Sequence, residues 1–123
     1  MRTLFSQAQR VLHAGSVALA LSLFAQQALA GDVRTVEVTA QEFEFTPSTI
    51  KVEPGETIRL KLVNQGNMSH NLHLRNTDAK TATIQSGKSD TLEVTAPDNG
   101  ELGFFCAIPG HEKAGMKGSI VVQ

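Results

Sequence analysis

Thr57-Ile-Arg-Leu-Lys-Leu-Val63 alternates polar and apolar side chains, and its apolar members Ile58, Leu60 and Leu62 fall on one side. A period of two is the pattern of a β-strand that buries one face. This stretch therefore predicts a strand that contributes three aliphatic side chains to a core.

Shorter alternating stretches lie on both sides of it. Their apolar members are the pairs Val36 and Val38, Phe43 and Phe45, and Leu92 and Val94. Turn-forming sequences at 53–56, 64–67, 86–87 and 97–100 separate them. Because no stretch after Val33 sustains a helical repeat, we expect an all-β domain of seven or eight short strands, arranged as a two-sheet sandwich or barrel. Residues 75–83 are expected to form a short helix or an irregular loop.

The first thirty residues have a different character. Arg2 and Arg10 are the only charges before Asp32, an apolar run covers residues 16–25, and Ala28-Leu29-Ala30 offers small residues for a peptidase. This pattern predicts a cleaved secretory signal at 1–30, followed by one domain at 31–123. The apolar run is about half of the roughly 20 residues needed to cross a bilayer, so we expect no membrane span in the mature chain.

The predicted mature chain is mildly acidic and has one thiol. Without Arg2 and Arg10 it keeps nine basic and twelve acidic side chains, a formal charge of −3, which argues against a nucleic-acid partner. A domain of this size has a marginal core and often needs a further fastening. Cys106 is the only cysteine, so no intramolecular disulfide can form, and a metal would both occupy the thiol and fasten the fold.

Metal-binding side chains cluster near the C-terminus. The segment Cys106-Ala-Ile-Pro-Gly-His111-Glu-Lys-Ala-Gly-Met116 contains a thiol, an imidazole and a thioether. Pro109-Gly110 favours a turn before His111, and Gly115 gives the backbone freedom before Met116. These three side chains are therefore expected to converge on one site.

A second histidine must come from His70 or His73. In a strand over residues 70–74, His70 shares a face with Leu72 and Leu74, whereas Asn71 and His73 point the other way. His70 is thus the predicted ligand, and His73 remains the alternative if a bulge shifts the alternation.

The predicted ligand set is His70, Cys106, His111 and Met116. Taken singly, a buried cysteine or methionine is more often core packing. Together, two histidines, one cysteine and a weak axial methionine are the ligands of blue-copper sites. Zinc is the competing metal, but structural zinc sites usually take cysteine, histidine or carboxylate at all four positions. Met116 therefore favours one copper ion.

Several segments resemble the cupredoxin (type 1 blue copper) superfamily, which includes plastocyanin and azurin. They are Phe43-Glu-Phe45-Thr-Pro47, Ile50-Lys-Val52-Glu-Pro-Gly55, His70-Asn71 and Cys106-x4-His111-x4-Met116-x-Gly118. The spacing of the ligand loop is similar to that of rusticyanin and sulfocyanin. The resemblance implies a Greek-key β-sandwich with copper at one end, His70, Cys106 and His111 in the trigonal plane, Met116 axial, and Asn71 helping to hold the ligand loop.

The ligand set and the resemblance imply a small exported electron carrier. It would be a periplasmic monomer that meets larger redox proteins transiently through an apolar patch around His111, formed by Ala107, Ile108, Pro109, Ala114 and Gly115. The alternative is a periplasmic copper-binding protein for copper buffering, delivery or resistance. An enzyme is not expected, because four protein ligands leave no open position on the metal.

Overall fold

The computed structural model describes residues 33–123, so the predicted signal segment lies outside the described residues. Eight strands occur in this range, which confirms the predicted number, and the range contains no helix. The strands are β1 (Arg34–Gln41), β2 (Glu44–Thr46), β3 (Thr49–Val52), β4 (Thr57–Asn64), β5 (His73–Leu74), β6 (Ser89–Thr95), β7 (Glu101–Phe105) and β8 (Lys117–Val122).

The strands form two four-stranded sheets. One has the order β2-β1-β4-β6 and the other β3-β8-β7-β5. Both sheets are mixed: β1 pairs in parallel with β4, and β3 in parallel with β8, while the remaining pairs are antiparallel. Of the connections between described strands, only β1–β2 and β7–β8 stay within one sheet, and the others cross to the opposite sheet. The predicted all-β sandwich is confirmed.

The core follows the alternation of the strands. Ile58, Leu60 and Leu62 of β4 are buried, as predicted, and Val38 and Val94 are buried on its neighbours β1 and β6. The second sheet contributes Ile50, Ile120 and Phe104 from its central strands and edge. Phe45 of β2 meets Phe104 edge-on, with ring centroids 5.5 Å apart, so aromatic packing joins the two sheets.

The alternation fails at Phe43. The sequence predicts that Phe43 and Phe45 share a buried face, but Phe43 is 43% exposed and Phe45 is 2% exposed. Phe43 lies in the two-residue turn between β1 and β2 and has a φ of 64°. The prediction was wrong because a residue in a tight turn does not continue the period of the strand.

Side-chain hydrogen bonds hold the turn at 64–67, and the loop at 75–83 is irregular. In the predicted turn at 64–67, neither asparagine has a positive φ. Instead Asn64 is buried, its amide donates to the carbonyls of Met68 and Ile84, and its Oδ1 accepts from the Gly66 amide. Residues 75–83, predicted as a helix or an irregular loop, form the irregular loop.

Candidate metal centre

The loop that carries three of the predicted ligands joins β7 to β8. Its two ends are paired, because the Cys106 amide donates to the carbonyl of Met116 at 3.1 Å. Inside the loop, the amide of His111 donates to Ile108 and the amide of Met116 donates to His111, each at 3.0 Å. Gly110 has a φ of 85°, as expected of the predicted turn before His111. The backbone thus folds the loop so that its ligands face one region.

His70 reaches this region from the loop between β4 and β5. Its backbone forms an isolated bridge with Ile84, with N–H to carbonyl distances of 3.1 and 2.8 Å. Within the described residues, both nitrogens of its buried ring lack a hydrogen-bond partner. Burial lowers the pKa of His70 below the usual histidine range. A neutral, buried ring with unpaired nitrogens is suited to binding a metal ion.

His70, Cys106 and His111 come together. Their potential ligand atoms lie within 4.8 Å of one another, and all three residues are buried. The Cys106 Sγ and His111 Nδ1 are 3.6 Å apart, and the centroids of the two imidazole rings are 5.1 Å apart. Met116, the fourth predicted ligand, is fully buried at the end of the same loop.

The spacing of these atoms suits a metal ion. In structural zinc sites the metal lies about 2.0 Å from an imidazole nitrogen and about 2.3 Å from a thiolate sulfur. If the nitrogen–metal–sulfur angle lies between the tetrahedral and the trigonal value, these bond lengths place the nitrogen about 3.5 to 3.8 Å from the sulfur. The observed separation of Cys106 Sγ and His111 Nδ1 is 3.6 Å. The thiol of Cys106 and the imidazole of His111 therefore already have the separation of two ligands on one metal ion, with His70 in the same buried group.

His73, the alternative ligand, does not belong to this group. It is half-buried on β5, where its ring lies against that of Phe105 with centroids 5.6 Å apart. Burial, and secondly the positive charge of Lys80, lower the pKa of His73. His70 is thus more buried than His73, as alternation predicted, although the strand expected over 70–74 is limited to His73 and Leu74.

Asn71 connects the His70 segment with the ligand loop. Its Oδ1 accepts a hydrogen bond from the amide of Ala107 at 2.7 Å, and its Nδ2 donates to Thr83 Oγ1 at 3.0 Å. Alternation predicted that Asn71 points away from the core, yet it is only 6% exposed. It is buried because the ligand loop covers it, and the contact agrees with the role that the resemblance implied.

A second contact holds the loop after His111. The Arg75 guanidinium forms an ion pair with the carboxylate of Glu112 and lies over the ring of Phe105, 4.6 Å from its centroid. Glu112 therefore fixes the loop to the β5 side of the sheet. The sequence analysis missed this pair, since 37 residues separate its members.

Two other residues at the site were also missed. The ring of Phe43 contacts that of His111, and the carboxylate of Glu42 lies beside His70. Hydrogen bonds from the amides of Met68 and Asn67 lower the pKa of Glu42. No sequence pattern indicated either contact, because alternation placed Phe43 in a strand and Glu42 directly before it.

The arrangement defines a class of protein: a two-sheet β-sandwich with a buried Cys/His centre at one loop cluster. Comparison with known proteins is consistent with this class. The cupredoxin-like domain family matches residues 14–122. The chain belongs to the cupredoxin family, and copper is accordingly its cofactor, as the ligand set predicted.

Individual relatives include both copper-resistance and plastocyanin sequences. The chain is 33% identical over 110 residues to the copper-resistant cuproprotein CopI of Rubrivivax gelatinosus, covering 73% of this chain and 67% of the relative. It is 28% identical over 133 residues to the chloroplastic plastocyanin of Chlamydomonas reinhardtii, covering 98% and 87%. The crystal structure of reduced auracyanin from Roseiflexus castenholzii has the same fold, with a TM-score of 0.66, 23% identity and coverage of 76% and 99%.

Across residues 33–123, the structure has no helix of the length and apolar character required to span a bilayer.

Proposed function

We propose that this protein binds one copper ion through His70, Cys106, His111 and Met116 and carries single electrons between larger redox proteins. The observation that carries the proposal is the buried group of His70, Cys106 and His111, whose potential ligand atoms lie within 4.8 Å of one another. Among residues 33–123, the ring nitrogens of His70 form no hydrogen bond. Copper held by thiolate and imidazole changes between Cu(I) and Cu(II), which supplies the one-electron step.

The surrounding residues would keep the ligands in place during that step. Electron transfer is fast when the ligand positions suit both oxidation states, so a carrier benefits from a rigid site. The amide of Cys106 is bonded to the end of the ligand loop, and the neighbouring Ala107 amide is bonded to Asn71. These contacts support a loop that holds the same shape whether the copper is oxidised or reduced.

An apolar rim surrounds the proposed electron exit at His111. We define the rim as Ala107, Ile108, Pro109, Ala114 and Gly115, as expected from the sequence, together with the exposed side chains of Phe43 and Met68. Phe43 contacts the His111 ring, and its carbonyl lies 3.8 Å from where a Cβ on Gly115 would sit, so it is continuous with the loop. A transient redox partner would cover this rim in an interface below about 1,200 Å².

Copper handling is the second candidate function. The 33% identity to a protein named for copper resistance supports it. In this role the same four ligands would store or deliver the ion, and the change of oxidation state would be incidental. The chain has three methionines including the first residue and no methionine-rich or histidine-rich tract, which is more typical of a closed redox site than of a scavenger.

The remaining expectations follow from this site. We propose that the protein is not an enzyme, since four protein ligands would leave no position for a substrate. We also propose that residues 1–30 are removed on export to the periplasm and that the mature protein is a monomer. N-terminal sequencing of the exported protein should begin at Gly31, and an intact Met1 on periplasmic protein would contradict the predicted signal.

Copper loading tests the site. Purified protein titrated with Cu(II) should develop an intense visible band from the copper–thiolate bond, at one equivalent of copper. Cys106→Ser and His70→Gln should abolish the band, whereas the matched control His73→Gln should keep it because His73 lies outside the group. A colourless wild-type protein, or loss of the band only in the His73 variant, would refute the proposed ligands.

Two further measurements separate the candidate functions. An electron carrier should show a reversible one-electron couple and retain its copper when challenged with a chelator in either oxidation state. A copper-delivery protein should instead lose copper to the chelator, or to an acceptor protein, within minutes. Rapid exchange without a reversible couple would overturn the carrier proposal in favour of copper handling.

A further inference from the structure

Glu42 approaches the proposed centre from the turn between β1 and β2. Its Oε1 accepts hydrogen bonds from the amides of Asn67 at 2.6 Å and Met68 at 2.9 Å. The same oxygen lies 3.5 Å from Nε2 of His70. Two backbone donors thus hold one carboxylate oxygen beside a buried imidazole, and they come from the loop that leads to that histidine.

Gly66 makes this approach possible. A Cβ placed on Gly66 would lie 2.4 Å from Glu42 Oε1 and 3.0 Å from His70 Nε2, distances at which one of the groups has to move. The backbone at Gly66 is itself fixed, because its amide donates to Asn64 and its carbonyl accepts from Ser86. The loop therefore leaves just enough room for the carboxylate to lie against the ring.

The position of Glu42 also indicates how the His70 ring is oriented. Nε2 faces Glu42 and Gly66, and Glu42 does not belong to the group of ligand atoms formed by His70, Cys106 and His111. Nε2 is therefore the ring nitrogen that has a neighbour outside that group. The other nitrogen, Nδ1, is the one left to face Cys106 and His111.

We propose that Glu42 is a positioning residue that accepts the Nε2 proton of His70 in a hydrogen bond, leaves Nδ1 unprotonated for the metal, and lowers the reduction potential of the site. This inference rests on the proposed copper site. Histidine ligands of metals commonly donate their second N–H to a carboxylate or carbonyl, which sets the tautomer and the ring orientation. At 3.5 Å the bond is not yet formed, and a movement of about half an ångström reaches normal hydrogen-bond length.

The negative charge of the Glu42 carboxylate is the reason for the expected effect on the reduction potential. A carboxylate next to a ligand ring stabilises the more highly charged ion, so Cu(II) gains more than Cu(I). The Glu42 side chain is 33% exposed, and solvent weakens the interaction without removing it, since the imidazole on the other side is fully buried. A neutral side chain of the same shape should therefore raise the potential.

Glu42→Gln tests the charge and keeps an acceptor oxygen. The visible band of the copper-loaded variant should persist, and its potential should rise by about 59 mV, which corresponds to a tenfold change in the preference for Cu(I) over Cu(II). The matched control is Glu44→Gln, an equal loss of charge on the exposed face of β2. An unchanged potential in Glu42→Gln, or an equal rise in Glu44→Gln, would overturn the proposal.

The tautomer can be measured without metal. In the copper-free wild-type protein, 15N shifts of the His70 ring should show the proton on Nε2. Glu42→Gln should retain that tautomer, and Glu42→Ala should lose the preference. A proton on Nδ1 in the wild type would overturn the proposal. If the wild type instead fails to bind copper while its Nε2 carries the proton, the proposed function fails and the contact with Glu42 stands.

Gly66→Ala provides an independent variant that keeps the carboxylate. The added Cβ would approach the Glu42 carboxylate more closely than the His70 ring, so the carboxylate is the group expected to move away. The potential should therefore rise as in Glu42→Gln, even though the charge of the protein is unchanged. A Gly66→Ala protein that folds, binds copper and keeps the wild-type potential would contradict the role of Glu42, and this test remains if Glu42→Gln does not fold.

Discussion

The ring of Phe43 stands edge-on to the ring of His111, with 5.3 Å between the centroids and 85° between the planes. Phe43 is exposed, so it is a large apolar group that touches both solvent and a proposed ligand. Its φ of 64° is unusual for a bulky residue and costs about 1–3 kcal/mol. Backbone strain at this position, together with the contact to His111, fits the rim proposed as the docking surface.

Ala114→Glu should slow electron transfer without changing the copper site. Ala114 is exposed and precedes Gly115, on which a Cβ would lie 3.8 Å from the carbonyl oxygen of Phe43. Electron self-exchange between oxidised and reduced protein, measured by NMR line broadening, requires two rims to meet, so two added carboxylates should repel each other. The rate should fall several-fold, and more at low salt.

The matched control for this rim variant is Thr91→Glu, which adds the same charge on the exposed side of β6. It should leave the self-exchange rate close to wild type. Equal rates in both variants would mean that electrons do not leave through the rim. Ile108 is a poorer test position, because it is partly buried and packs against the core.

Met116→Leu should keep the fold and change the reduction potential. Leucine has a similar volume, so the change at this fully buried position should cost less than about 1.5 kcal/mol. Loss of the thioether leaves an apolar group beside the metal, which disfavours the more highly charged Cu(II), so the potential should rise. Voltammetry measures the shift.

Met68→Leu is the control for the axial position, since Met68 is exposed. It should have the wild-type potential and the wild-type visible spectrum. If Met116→Leu behaves in the same way as Met68→Leu, Met116 is core packing and not a ligand.

Asn71→Ala should destabilise the protein and loosen the ligand loop. The variant leaves the amide of Ala107 without its acceptor, and the loss of one part-buried hydrogen bond costs about 0.5–1.5 kcal/mol. Chemical denaturation of the copper-free protein measures the loss in the free energy of unfolding. Thr83→Ala removes only the partner of Asn71 Nδ2, so a smaller loss is expected there. Equal losses would show that the bond to Ala107 contributes nothing.

Acid should weaken the ion pair between Arg34 and Glu56. The hydrogen bond from Arg34, whose Nε lies 3.0 Å from Glu56 Oε1, lowers the pKa of Glu56 below its ordinary value of 4.5. The unfolded chain then binds a proton more readily than the folded protein does. This contribution to stability is therefore present above pH 4.5 and is lost as the pH falls through the pKa of folded Glu56.

The free energy of unfolding, measured between pH 6 and about pH 3, should change less with pH in Glu56→Gln than in the wild type, because the variant lacks this carboxyl group. Glu101→Gln is the control, because Glu101 is an exposed carboxylate that forms no ion pair with the described residues. It should have the wild-type pH profile. A Glu56→Gln protein with that same profile would contradict the contribution of the pair.

Much of this fold could be read from local pattern. Alternation along residues 57–63 predicted which side chains of β4 are buried, and alternation around His70 separated it from His73. The spacing from Cys106 to Met116, with its glycines, predicted a loop whose residues converge. Each of these predictions depends on the period of a strand or on the geometry of a short loop, so neighbouring residues carry the information.

Contacts between distant segments could not be read in this way. Glu42 meets the amide of Asn67 across 25 residues, and Arg75 meets Glu112 across 37. Phe43 was assigned to the core because its turn was not recognised, and Glu42 and Arg75 had no sequence signal for a role at the site. Which turn lies against which loop depends on how two sheets stack and where their strands end. Chemical type and alternation therefore predict the ligand set, whereas the packing of the two sheets determines which residues surround it.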